Sequence, residues 1–395
     1  MRMFRFILIC SLFSFVSFSY ANSLSPYAYK KLQAVQKLIE EDAWIEAKAQ
    51  LLIMEEELRS DFAKAIVRQT LGQVAVHEDD YPTALAYLTK AYEAKVLDDN
   101  SQQSLLHGIA QLHCGIEEWR ACQTKLQSWI ASNTQKARAT DYVMLAQAFM
   151  ATEDWAAMVP PLQTALSKRE RAPIDWYRML VAAQVYQEHW KEAVKAQRRL
   201  VNHYGDKAEE WRRLASFYMQ LGDHKGALDS TRLPHQHGLE QHEKDYKRLA
   251  QLMNQDGMPY KAAVAIQEAR NKKILDSSVT NLQLEGALFS EAKEYEQAAL
   301  VFEELLKRAP KVKYVNKLVQ IYFESQEWAA VEVLLKPWLK KHSDNYLQYM
   351  LAISYVNRHE FDKAKQAFAE MPSDHAQVKS VESWLKYIAK VQAAS

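Results

Sequence analysis

The sequence predicts an all-α protein, an array of about ten antiparallel helix pairs closed by one terminal helix. Three observations carry this. Apolar residues recur at helical spacing, as in Trp211, Leu214, Ala215 and Tyr218, which fall at i, i+3, i+4 and i+7 on one helix face. The pattern returns at intervals of roughly 33 to 38 residues along the chain. Turn-formers are scarce, with 9 Gly and 10 Pro in 395 residues, where average usage would give about 28 and 20.

The first segment, residues 1–21, reads as a secretory signal peptide. Arg2 and Arg5 precede an uncharged apolar run from Phe6 to Phe18, and Ser19-Tyr20-Ala21 offers a small-x-small cleavage site. Cleavage is expected after Ala21. The run is shorter than the roughly 20 residues a membrane span needs. Cys10 lies mid-run after Ile9, which does not fit lipid attachment. Later apolar stretches are all broken by charges, so the exported protein is expected to be soluble. Losing Arg2 and Arg5 leaves 48 basic against 49 acidic side chains. Such balance, with no polybasic tail, argues against a nucleic-acid groove.

The clearest unit runs from Trp211 to Ala227. Gly222 ends its first helix, Asp223 caps the second, and Ala227 begins the second helix's apolar face. Two helices approach closely only where both lack bulk, as at Ala215 against Ala227. The same layout recurs at Leu71-Gly72 with Ala84, Leu145-Ala146 with Trp155, Leu180 with Ala193 and Leu249-Ala250 with Ala262. It continues at Gly286 and Phe289 with Ala298, Leu318 and Tyr322 with Trp328, and Leu351-Ala352 with Ala364. Weaker copies sit at Leu38 with Ala47 and at Ile109-Ala110 with Cys122.

These units resemble the tetratricopeptide repeat over residues 22–374. The resemblance implies a right-handed superhelical solenoid whose last repeat is capped by an amphipathic helix and tail within residues 375–395. Cys122, Met158 and Val331 depart from the small-residue rule, as does Pro234 late in the sixth unit. Pro160-Pro161 is expected to interrupt a helix and bend the array. No linker reads as a domain boundary.

No phosphate loop, nucleophile elbow, zincin pair or calcium loop appears, so the chain reads as a non-enzyme without cofactor. The Glu55-Glu56-Glu57 run is a solvated helix face. His235, His237 and His242 fall in a linker after Pro234, where two readings stand: exposed loop histidines, or a metal or pH-sensitive site. Cys114 and Cys122 sit on facing helices of the third unit, as either a disulfide or two buried thiols.

The first helix of each unit is expected to line a concave face. There Arg178, Arg212, Lys247 and Arg248, with Gln251 and Asn254, form a row suited to a peptide's carboxylates or carbonyls. The row lacks the Lys/Asn set with which some repeat domains clamp a C-terminal carboxylate. In the tenth unit Tyr346, Tyr349 and Ile353 form an apolar face, either a partner patch or a contact with the final helix.

A leader followed by such repeats, with Leu24-Ser25-Pro26-Tyr27-x-Tyr29-Lys30-Lys31-Leu32 at the mature start, resembles exported repeat proteins associated with TonB, ExbB and ExbD in Gram-negative bacteria. That resemblance implies a periplasmic adaptor with TonB or ExbD as partner, serving uptake of iron carriers or haem. The alternatives are an adaptor for cell-wall synthesis or outer-membrane assembly, and a metal-binding or enzymatic protein using the three histidines.

Overall fold

A computed structural model describes residues 24–239, 242–372 and 376–394. The expected cleavage site at Ala21 and Cys10 lie outside these residues. Among the described residues there are 21 helices and no strand. The chain divides into two compact units, Met1–Tyr204 and Gly205–Ser395. The sequence had marked no boundary there.

In the first unit the helices pair as α1 (Pro26–Glu40) with α2 (Trp44–Glu57), α3 (Asp61–His77) with α4 (Tyr81–Glu93), and α5 (Asp99–Gly115) with α6 (Trp119–Ser132). Next come α7 (Ala139–Ala151) with α8 (Trp155–Ser167) and α9 (Ile174–Tyr186) with α10 (Trp190–His203). The second unit holds α11 (Ala208–Gln220) with α12 (His224–Gln236), α13 (Glu243–Gln255) with α14 (Pro259–Asn271), and α15 (Val279–Glu291) with α16 (Tyr295–Arg308). Its last pairs are α17 (Val312–Glu324) with α18 (Trp328–Leu339) and α19 (Asn345–Asn357) with α20 (Phe361–Ala369), followed by α21 (Val378–Ala394).

One turn joins the two helices of every pair. Three residues link them, and the middle one is left-handed with φ between 56° and 75°. The N–H of the third link residue then reaches back over the turn, as Ala43 does to the Leu38 carbonyl at 2.8 Å and Glu327 to that of Tyr322 at 2.8 Å. These bonds satisfy carbonyls the first helix leaves open. Glycine holds the left-handed place only at Gly222 and Gly257. Elsewhere residues such as Asp42, Glu117 and Gln326 take it, at a backbone cost of about 1–2 kcal/mol each. As the sequence predicts, the Asp223 carboxylate caps α12 by accepting from the Gly226 N–H at 2.8 Å.

Small residues set the spacing within pairs. Ala215 and Ala227 are both buried. At Gly72 a Cβ would sit 2.5 Å from Leu88 Cδ2, and at Gly286 it would sit 2.7 Å from Phe302 Cε2. A side chain at either place would have to displace Leu88 or Phe302 from its packing.

Two proline expectations are corrected. α8 continues through Pro160 and Pro161, because the buried Met158, Leu162, Ala165 and Leu166 dock both halves on one side. α12 likewise runs through Pro234 to Gln236. Packing outweighs the lost backbone donors in both helices.

Cys114, at the end of α5, and Cys122, in the first turn of α6, form a disulfide with an S–S distance of 2.04 Å and a Cα–Cα distance of 5.0 Å. It closes a short loop across the turn of the third pair. Replacing both cysteines with Ser is expected to lower stability by about 2.5 kcal/mol through loop entropy. Urea unfolding with and without reductant checks this, since reductant should weaken only the parent protein.

At the end of the second unit, Val381 and Ile388 of α21 are buried. The Trp384 indole N–H donates to the Tyr349 hydroxyl at 3.1 Å. Of the tenth pair's apolar face, Tyr349 and Ile353 are thus covered and Tyr346 stays half-exposed. Among the described residues no helix is long and apolar enough to cross a membrane.

Candidate functional site

In the second unit α11 and α13 lie side by side and enclose a surface depression of about 350 Å³. Arg212, Arg213, Lys244 and Arg248 line it, with Glu209 and Asp245 as the acids. Asp245 is almost fully buried, and its carboxylate accepts from Arg212 Nη1 at 3.0 Å. That bond holds the Arg212 guanidinium in place and uses a fraction of its five donors. Arg213 is held against Glu209 at 3.3 Å and the buried Glu210 at 3.4 Å. Arg248 is exposed and makes no ion pair among the described residues. The depression thus presents two anchored guanidinium groups, Arg212 and Arg213, and one unanchored, Arg248, whose fork can take a carboxylate in two-point fashion.

The row expected from sequence resolves into separate parts. Arg212 and Arg248 meet at the depression. Lys247 sits on the same helix but donates to Glu243 one turn earlier. Gln251 is exposed, and the Asn254 amide donates to Glu291 at 3.1 Å. Arg178 belongs to the first unit, where it reaches Asp175 at 3.4 Å. Asp245 escaped the sequence reading because its partner lies one repeat away.

Of the three histidines, His237 and His242 are exposed and lie outside the helices, and only His235 departs from the loop reading. His235 is in the last turn of α12 rather than a linker, edge-on to Tyr246 at 5.4 Å and 3.7 Å from Glu268. His237 and His242 flank the helix ends. Among the described residues no three His, Cys, Asp or Glu side chains are placed to hold a metal ion.

The first unit contains a polar arrangement that sequence reasoning missed. The His107 ring stacks on Trp129 with centroids 3.8 Å apart. Its Nε2 lies 3.0 Å from Asp141 Oδ1, and the Arg138 N–H donates to Asp141 Oδ2 at 2.8 Å. Burial of Asp141 pushes its carboxyl up, but the His107 hydrogen bond, the Arg138 N–H and the nearby positive charge together hold it below the usual carboxylate range. Beside this network a groove of about 180 Å³ runs between α3 and α5. The only sequence signal was a run of amides, Gln102-Gln103 and Gln111, with His107 among them.

Each turn, buried small residue and pair of antiparallel helices follows one plan. The fold is a tetratricopeptide-like array of helix pairs. No family model matches the chain, and no curated protein matches it. Among solved structures, a tetratricopeptide repeat protein from Parabacteroides merdae is 10% identical, covering 66% of this chain and 98% of its own, with a TM-score of 0.37. The Naa15/Naa10 structure bound to HypK-THB is 12% identical, covering 92% of this chain and 64% of the other, with a TM-score of 0.43. The P58(IPK) TPR domain is 13% identical, covering 92% and 99%, with a TM-score of 0.26. The likeness is one of repeated helix pairs, and the repeat array's own geometry carries the fold.

Proposed function

We propose that this repeat array is a non-enzymatic adaptor that binds an acidic segment of a protein partner at the Arg212–Arg248 depression. The observation that carries the reading is the pair of guanidinium groups around buried Asp245, in a depression lined by four basic and two acidic side chains. A partner carboxylate would reduce the positive excess of the lining and take the donors Arg212 and Arg248 leave open. Many modest contacts along a repeat surface then add to one strong pair.

The adaptor is further proposed to be periplasmic and to serve a TonB-dependent system for iron-carrier or haem uptake, with TonB or ExbD as partner. Support comes from the leader-like residues 1–21, the resemblance at the mature start, and a disulfide suited to an oxidising compartment.

Crosslinking the tagged protein in its native envelope under iron limitation tests the partner. TonB or ExbD should be recovered, and should be lost with the Arg212→Glu/Arg248→Glu variant. Recovery of only wall-synthesis or outer-membrane assembly proteins would rule out the TonB assignment. In solution, a fluorescent glutamate-rich peptide should bind that variant at least tenfold more weakly. Its affinity for the parent should fall as salt is raised.

A further inference from the structure

We propose that the outer face of α2 is a docking site for an amphipathic helix of a partner protein, one whose apolar stripe is bordered by lysine or arginine. This does not rest on the acidic-segment reading, which concerns the other unit.

The repeat plan supplies its own comparison. α2 buries Ala47, Leu51 and Met54 on its inner side, yet the side facing away from them is apolar too. Ile45 and Ile53 are 79% and 53% exposed, with Ala49 and Leu52 exposed between them. Ile45 stands two places before the buried small residue Ala47, and Ile53 six places after it. At the same two places α4 has Pro82 and Lys90, α6 has Arg120 and Ser128, and α10 has Lys191 and Arg199. The fold therefore does not ask for large apolar residues there. A helix apolar on both sides is suited to being covered on both. Tyr27, half exposed, donates to Glu57 at 2.9 Å, which sets its ring beside the last turn of α2 and lengthens the patch. Water can satisfy an exposed amide but not exposed hydrocarbon, and contiguous apolar surface of this kind marks an interaction site.

Shape then selects a helix as the occupant. The main chain of α2 is spent on its own hydrogen bonds, so the face offers side chains alone. An extended segment would press its N–H and C=O groups onto apolar carbon, whereas a helix arrives with them already paired. Ala49 leaves a low point one turn from both Ile45 and Leu52, where a ridge of a second helix can sit.

Charge selects its borders. Glu46 and Glu56 are exposed towards the two ends of the stripe and make no ion pair among the described residues. The last turn of α2 holds no basic residue, although its open carbonyls favour one. Two cations are near and both are engaged, Lys48 by Glu78 at 2.5 Å and Lys31 over the Tyr27 ring at 5.8 Å from its centroid. A second copy docked antiparallel would set Glu46 of each chain against Glu56 of the other, and an anionic bilayer would be repelled. A helix edged with lysine or arginine is attracted.

The test uses a fluorescent leucine–lysine peptide patterned as a helix with its leucines on one face. It should bind the parent, and should bind Ile45→Ser/Ile53→Ser and Glu46→Gln/Glu56→Gln roughly tenfold more weakly or worse. The same peptide with proline at its centre should not bind. Its leucine–glutamate counterpart should ignore Ile45→Ser/Ile53→Ser and respond only to Arg212→Glu/Arg248→Glu, so that failure of one site is read apart from failure of the other. A thermal melt shows whether the serine variant folds; if it does not, the glutamine variant carries the test. Equal binding of the lysine peptide to parent and variants, or binding of the proline peptide, would overturn the proposal. Dimerisation of the parent that is lost in Ile45→Ser/Ile53→Ser would assign the face to a second copy. Sedimentation with phosphatidylglycerol vesicles, lost in the same variant, would assign it to a lipid surface, and binding that appears only once residues 1–21 are removed would assign it to the leader. Each of these would equally overturn it.

Discussion

Replacing Arg270 with Met is expected to lower the stability of the second unit by about 3 to 5 kcal/mol, because it strands a buried carboxylate. Arg270 on α14 donates through Nε to Glu285 Oε2 at 2.8 Å and through Nη2 to Oε1 at 3.1 Å. The Glu285 side chain on α15 is fully buried. A third bond, from Nη1 to Glu304 at 3.1 Å, ties the pair to α16. The Glu285 hydrogen bond, above all, raises the Arg270 pKa, against the opposing effect of burial, so the guanidinium stays charged at any working pH. Urea unfolding should show the loss. Arg270→Met/Glu285→Leu should recover most of it, since the penalty lies in the unpaired charge more than in the missing pair. If the double variant is as unstable as the single one, ordinary packing is the cause.

Asp141→Ala should cost about 3 kcal/mol in the first unit, from the loss of two hydrogen bonds to a charged acceptor. His107 and the Arg138 N–H would both lose their partner. The same residue gives a pH signature. The folded-state pKa of Asp141 lies below its unfolded value, which is about 3.9. Its ionic contribution is therefore complete above the unfolded value and is lost as pH falls through the lower folded one. Plotted against pH, the stability gap between parent and Asp141→Ala should be flat near neutrality and narrow in acid. A gap that widened in acid would show that Asp141 is not held ionised by these partners.

Much of the fold was legible because it depends on side-chain size at fixed spacing. Trp211, Leu214, Ala215 and Tyr218 mark a helix face, and Ala227 marks its partner. The turns were legible where glycine occupies the left-handed place, at Gly222, and hidden where Asp42 or Glu117 does, because those residues take that conformation only under the pressure of packing. Pro160 and Pro234 misled for the same reason, since a local rule yields to a buried face. The site was less legible. Arg212 stood out as a charge on a first helix, but its value depends on Asp245, and His107 meets Asp141 only once α5 and α7 are stacked. Such pairings lie one repeat apart and leave no local pattern. The disulfide stayed open because the sequence does not give Cα separations.

The left-handed turns have an electrostatic consequence. In the first unit that place is held by Asp42, Asp79, Glu117, Glu153 and Glu188, and the residues around them include Glu41, Glu78, Asp80, Glu118 and Asp154. No Lys or Arg lies in those links, although Lys48 and His113 reach Glu78 and Glu118 from neighbouring helices. The return links at the opposite ends of the helices carry Arg59, Lys95, Lys136, Arg138, Lys168, Arg169 and Arg171. Even with Asp98 and Glu170 among those return links, the first unit is thus polarised along its helices, with a negative rim and a more positive one. Within about 10 Å, before salt screens the field, an approaching molecule feels a torque rather than a pull. Its own dipole settles which way round it arrives before any side chain is touched.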